Sequence, residues 1–214
     1  MLKKLQSTEA KLKVASVWNG SKSAVSIDSS PYVFELLCFL ELCVNLEYSH
    51  ALEFVKRKSG GKDIIKLPKA PGNKANFSYV KILKKNENTH EFDLNPGINI
   101  TDNDRKDRAP DISITAITGD RTPNVGEVKE IWDAKYSAKD GRLNDKEVSD
   151  FFYTAQQLGF PRDPSALAKN LPAKEFNRSG IITNTKPSTE PDSVFARHKL
   201  HEVSGFPDAV STRP

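Results

Sequence analysis

The chain has 214 residues, 37% hydrophobic and 28% charged, with a net charge of +4. That length suits one domain, or one domain with an extension, around a real core. No run approaches the ~18 apolar residues that a membrane span needs, so a soluble, non-membrane protein is expected. Lysines open the sequence "MLKKLQSTEAKLKVASVW" without a continuous apolar stretch after them, the pattern of neither a secretory signal nor an anchor, and the expected location is cytoplasmic.

In chain order, Leu2, Leu5, Leu12 and Val17 are spaced for an amphipathic helix over 2–18. A loop, "NGSKSAVSIDSS", follows, with Ser29 or Ser30 able to cap a helix that has Pro31 in its first turn. That helix is predicted over 31–58, apolar nearly all round between Val33 and Val44 and therefore buried on most faces, with Gly60-Gly61 ending it. Cys38 and Cys43 lie about 140° apart around its axis, a poor arrangement for pairing or for sharing a metal, and are expected to be core residues. "DIIKLPK" and "FSYVKILKK" are predicted β segments around the turn-rich "APGNKAN". One more strand or hairpin is expected in 86–108, then strands at "PDISITAI" and "EVKEIWDAKY". A helix is predicted at "NDKEVSDFFYTAQQLG", with Val148, Phe151, Phe152 and Ala155 on one face and Gly159 at its C-terminus. A buried strand "SGIITN" and an amphipathic helix "SVFARHKLHEV" complete the pattern. The expectation is a mixed α/β domain with a central sheet, built on residues 29–214 after an N-terminal helix and linker at 1–28.

Charge is unevenly distributed. Residues 56–85 hold ten Lys or Arg against Asp63 alone, a local charge of +9 that leaves −5 for the rest of a +4 chain. Such asymmetry suggests a polyanion facing one side of the molecule. No Gly-rich phosphate loop is present, which argues against an NTPase.

Asp111 follows Pro110 at the start of one apolar strand, while Asp133 and Lys135 close another. Residues two apart on a strand share a face, so Asp133 and Lys135 project together. If the two strands pair through the turn at 118–126, Asp111 reaches the same volume. Carboxylates that close repel unless a cation lies between them, and Mg²⁺, which takes hard oxygen ligands and retains waters, suits that role. Lys135 could act as general base or as electrostatic stabiliser. Carboxylate neighbours raise a lysine pKa, which favours the stabiliser.

These residues resemble the PD-(D/E)xK nucleases, the restriction-endonuclease-like superfamily. Pro110-Asp111 supplies the first half of the motif and Asp133-Ala134-Lys135 the second, and the resemblance in element order covers roughly residues 30–205. It implies a restriction-endonuclease-like mixed sheet flanked by helices and a metal-dependent endonuclease that hydrolyses DNA phosphodiester bonds in restriction or antiphage defence. Mg²⁺, with Mn²⁺ as a substitute, would be held by Asp111, Asp133 and the Ala134 carbonyl. Glu35, on the helix before the sheet, would join both the metal set and the catalytic set of Asp111, Asp133 and Lys135; Glu41 competes for that place, one of the two facing the sheet and the other solvent. Lys56, Arg57, Lys58, Lys62, Lys66, Lys69 and Lys74 would grip DNA phosphates, and a homodimer or a partner subunit would supply target choice. The alternative is a nuclease-like fold used as a non-catalytic nucleic-acid-binding or assembly module.

Glu127-Val128-Lys129 is a second ExK, but it follows turn residues and is expected at the surface. Gln156 and Gln157 are expected on a solvated helix face, and His198 and His201 at the surface.

Overall fold

The computed structural model describes residues 1–14, 30–138, 143–160, 179–186 and 200–206, and the backbone of 16–18. Helix α1 (Leu2–Lys11) lies against α2 (Ser30–Leu46), with Leu5 and Leu12 in the main core. Strand β1 (Ser16–Trp18) pairs in parallel with β4 (Lys62–Leu67), which also pairs with β3 (Arg57–Ser59) to make a three-stranded sheet. The helix expected over 2–18 is thus shorter, and its last residues are extended.

Helix α2 is the core of the molecule. Phe34, Leu36, Leu37, Leu40, Leu42, Cys43 and Leu46 are each almost completely buried. One buried leucine contributes ~1.5–3 kcal/mol, so this helix alone organises much of the hydrophobic stabilisation. Both cysteines are free and buried within it. It stops at Leu46 and not beyond 55 as expected, because His50–Val55 forms β2, paired antiparallel with β5 (Tyr79–Lys84). Gly60 and Gly61, both at positive φ, turn the tight β3–β4 hairpin in which Ser59 faces Lys62. A two-residue Gly-Gly connection matches the right-handed twist of paired strands, so the glycines turn a hairpin and do not end a helix.

The central sheet has seven strands in the order β12-β11-β10-β9-β6-β5-β2. Its remaining members are β6 (His90–Pro96), β9 (Ile112–Thr115), β10 (Val128–Lys135), β11 (Gly180–Thr183) and β12 (His201–Val203). The steps from β2 to β10 are antiparallel, and those from β10 through β11 to β12 are parallel. Two short strands, β7 (Ile100–Thr101) and β8 (Asp107–Arg108), pair outside it. Ile82, Leu94, Ile112, Ile114, Trp132 and Ile182 join the α2 core. Ile131 and Ile181 belong to a second core with Val148, Phe151 and Ala155 of α3 (Asp145–Gln157). Gly159 follows α3 at positive φ.

The last helix expected from sequence is corrected at 201–203, which are extended; residues 193–199, with His198, lie outside the described residues, as do Ser29 and residues 19–28. At Gly180 an added Cβ would come within 2.1 Å of the His201 carbonyl oxygen, so only glycine permits β11 and β12 to approach this closely. Among the described residues no helix is long and apolar enough to cross a membrane.

Candidate active site

The register between β9 and β10 brings the carboxylates together. Ile112 faces Trp132, and the next step sets Asp111 opposite Asp133. A bulge between Val128 and Glu130 fixes that pairing, since Thr115 opposite Val128 would otherwise put Asp111 across from Trp132. The Asp111 backbone N–H donates to Asp133 Oδ1 at 3.3 Å, and the Ala134 N–H donates to Asp111 Oδ2 at 2.8 Å. Lys135 Nζ stands 2.8 Å from Asp133 Oδ2, with both side chains mostly buried. Trp132 and Ala134 alternate with this pair and turn into the α2 core.

Glu35, at the start of α2, completes an acidic cluster. Burial, opposed by Lys135 and reinforced by Asp133, pushes its pKa up to about 7 from 4.5. Asp111 is raised well above the ordinary carboxylate range by burial and by Asp133 and Glu35, against Lys135 and the Ala134 N–H. Burial disfavours the charged form of Lys135, but Asp133 and Asp111 outweigh it and raise its pKa above the usual lysine value. Lys135 is therefore a cation at neutral pH.

Burial and mutual repulsion disfavour the charged forms of Asp111 and Glu35, a cost that a cation between the carboxylates would relieve, and their hard oxygens match what Mg²⁺ takes. Mg²⁺ is commonly held through one or two carboxylates, with water and substrate phosphate completing its shell, so an aspartate pair fits the ion. Among the described residues no group of three or more His, Cys, Asp or Glu side chains is arranged to hold a metal; Asp111 Oδ2 accepts from the Ala134 amide and Asp133 Oδ2 pairs with Lys135.

Beside the cluster, Glu35 and Asp111 line a cleft of about 260 Å³, whose walls include Tyr32, Phe39, Pro68 and Lys69. Nothing in the sequence pattern marked it; its lining converges from α2, the end of β4 and the turns before β7 and β9.

The basic segment divides into two sets. Lys74, expected to grip phosphate, is completely buried: its Nζ contacts Asp93 Oδ2 at 2.7 Å and Thr118 Oγ1 at 2.8 Å and lies 4.1 Å from the centre of the Tyr79 ring. A buried, paired ammonium cannot meet DNA, and Lys74 is a structural residue. Arg57 is committed as well, donating to the Phe77 carbonyl at 2.7 Å and pairing with Asp120 at 2.6 Å. Lys58 pairs with Asp63 at the exposed β3–β4 hairpin. Lys56, Lys62 and Lys69 are exposed and Lys66 is half-buried.

Glu41 does not escape to solvent. It is buried beneath α1, accepting a 2.5 Å hydrogen bond from Thr8 Oγ1, which leaves Glu35 as the helix carboxylate beside the aspartates. Glu127 caps its own turn with Asn124 and pairs with Arg121; Gln156 is exposed and Gln157 half-buried, and His201 is half-buried on β12. The buried Asp93 also meets His90 Nε2 at 2.8 Å and the Thr118 N–H at 3.1 Å, and with Lys74 the cluster has no sequence signature because its members come from three separate segments.

Comparison of the chain with protein-family models, with curated proteins and with solved structures gives no significant match to any of them.

Proposed function

We propose that the chain is a Mg²⁺-dependent deoxyribonuclease of the PD-(D/E)xK type, with the cluster at the ends of β9 and β10 as its active site. The observation that carries this reading is the meeting of Asp111, Asp133 and Lys135 across one strand register, with Glu35 in electrostatic reach. Asp111 and Asp133 would hold the ion, with Glu35 and the Ala134 carbonyl as further oxygen donors. When bound, Mg²⁺ supplies charge that polarises a phosphate oxygen and lowers the pKa of water. Lys135, held cationic by its neighbours, is aimed at charge that builds on the phosphate and does not serve as a base. Ala134 fixes the Asp111 carboxylate through its N–H, and the core around Trp132 keeps the strand end rigid.

Lys56, Lys58, Lys62, Lys66 and Lys69 would contact backbone phosphates, which position a duplex or strand without reading its sequence. A role in restriction or antiphage defence, and a homodimer or partner subunit that supplies target choice, belong to the same proposal and rest on the motif resemblance.

The test is nicking of supercoiled plasmid in Mg²⁺ and in EDTA, by the wild type and by Asp133→Asn. Cleavage in Mg²⁺ that EDTA and Asp133→Asn both abolish supports the nuclease. One observation favours a non-catalytic binding module instead: Asp111 and Asp133 are already satisfied by Ala134 and Lys135. DNA binding without nicking in Mg²⁺ or Mn²⁺ would establish that alternative.

A further inference from the structure

The cleft beside the acidic cluster has its own chemistry. Its volume of about 260 Å³ falls just below the ~300–1,000 Å³ of pockets for drug-sized ligands, so it admits one ring system and not a double helix. Phe39, Leu67 and Pro68 give it apolar walls, and the carboxylates of Asp111 and Glu35 also line it. Of its two aromatic residues Phe39 is buried and Tyr32 half-buried, with Lys69 Nζ 5.9 Å from the Tyr32 ring centre. Lys69 is exposed and, among the described residues, pairs with no carboxylate, unlike Arg57, Lys58, Lys74, Lys81 and Lys84. A planar aromatic, apolar walls and an uncommitted cation together match a nucleobase and the phosphate attached to it: every base has a π-face for stacking, and its backbone needs a positive partner.

We propose that this cleft, bounded by Tyr32, Lys69 and Asp111, is a subsite for a single unstacked nucleobase beside the scissile phosphate, so that single-stranded or frayed DNA is the preferred substrate. The proposal rests on the nuclease reading of the acidic cluster. In a duplex each base is covered by its neighbours above and below, and none can enter a cleft of this size without leaving the stack, at a cost of a few kcal/mol. A single strand has no such cost. Tyr32 provides the stacking face, Lys69 takes the flanking phosphate, and the carboxylates stay on the side where the bond is cut.

The test is fluorescence anisotropy in EDTA, where nothing is cleaved, with an oligothymidylate of about twelve nucleotides, the matching blunt duplex, and a chain of the same length made of abasic sugar phosphates. The wild type should bind the single strand most tightly. Tyr32→Ala should lose on the order of tenfold and Tyr32→Phe should lose little, with thermal melting checking that both fold. The abasic chain tests the same point without altering the protein and should bind on the order of tenfold more weakly than oligothymidylate. Equal binding of the duplex and the single strand, or of the abasic chain and the oligothymidylate, overturns the subsite. If plasmid nicking that depends on Asp133 persists in that case, the nuclease reading stands and the subsite alone is lost. If no DNA is bound or cut, both are lost.

Discussion

The central sheet carries two clusters of buried charge with opposite character. On β6, Asp93 is sealed: Lys74, His90 and the Thr118 N–H each meet one of its oxygens, and no part of Lys74 or Asp93 reaches solvent. At the ends of β9 and β10, Asp111, Asp133 and Glu35 share one lysine, and Asp111 and Glu35 border a cleft. The first cluster is neutralised from within and has no access to a ligand. In the second, burial holds the Glu35 pKa at about 7 even though Lys135 opposes the shift. Perturbed ionisation in a cleft points to function, whereas a closed ion pair serves the fold.

The contrast breaks or sharpens under substitution. Lys74→Met should have the largest effect, because it strands the Asp93 carboxylate in the core; breaking a buried pair on one side costs ~3–5 kcal/mol. At about 2–4 °C per kcal/mol for a chain of this size, the melting temperature should fall by roughly 10 °C, while the salt dependence of DNA binding stays unchanged. Asp133→Asn should do the reverse. Cleavage should drop by more than the ~10–100-fold typical of groups that merely support a metal's ligands, while thermal melting shifts little because Lys135 keeps Asp111 nearby. A large loss of stability with cleavage intact would make the two clusters alike, both structural.

A smaller effect is expected from joint neutralisation of Lys62, Lys66 and Lys69. Each phosphate contact contributes about 0.9 to the slope of log affinity against log salt on duplex DNA and about 0.7 on single strands, so titrations at several ionic strengths should give a slope flatter by up to about 2 on single strands and nearly 3 on duplex. The smallest effect belongs to Arg121→Ala, which removes the surface partner of Glu127. An exposed pair contributes ~0–1 kcal/mol, and nicking should be unchanged; impaired nicking would return the second ExK to consideration.

Much of the acidic cluster was legible because its information is local. Pro110-Asp111 and Asp133-Ala134-Lys135 each sit on a short apolar run, and strand parity puts Asp133 beside Lys135. Errors arose where local patterns are ambiguous or partners are distant. "SHALEFVKRK" continues an apolar run that serves a helix or a strand equally, and the decision came from the Gly60-Gly61 hairpin and the pairing of β2 with β5. Lys74 looks like any other lysine of a basic stretch; its burial depends on Asp93 and Thr118, which only the folded sheet brings to it. The burial of Glu41 likewise depends on Thr8 of α1.

The irregularity between Val128 and Glu130 acts as a frame-setter for the chemistry. It gives β10 one residue more than β9, so everything downstream of Lys129 is counted in the opposite parity from everything upstream. Whether Asp111 meets an aspartate or a tryptophan is decided by that single extra residue, not by any residue type at the site. Length should therefore be constrained unequally along the chain. A change of length in the turn at 116–127 would leave in place the β9–β10 register that brings Asp111 and Asp133 together, whereas losing one residue between Val128 and Asp133 would exchange the two faces of the strand. The acidic cluster would then be dismantled with every member of its motif still present in the sequence.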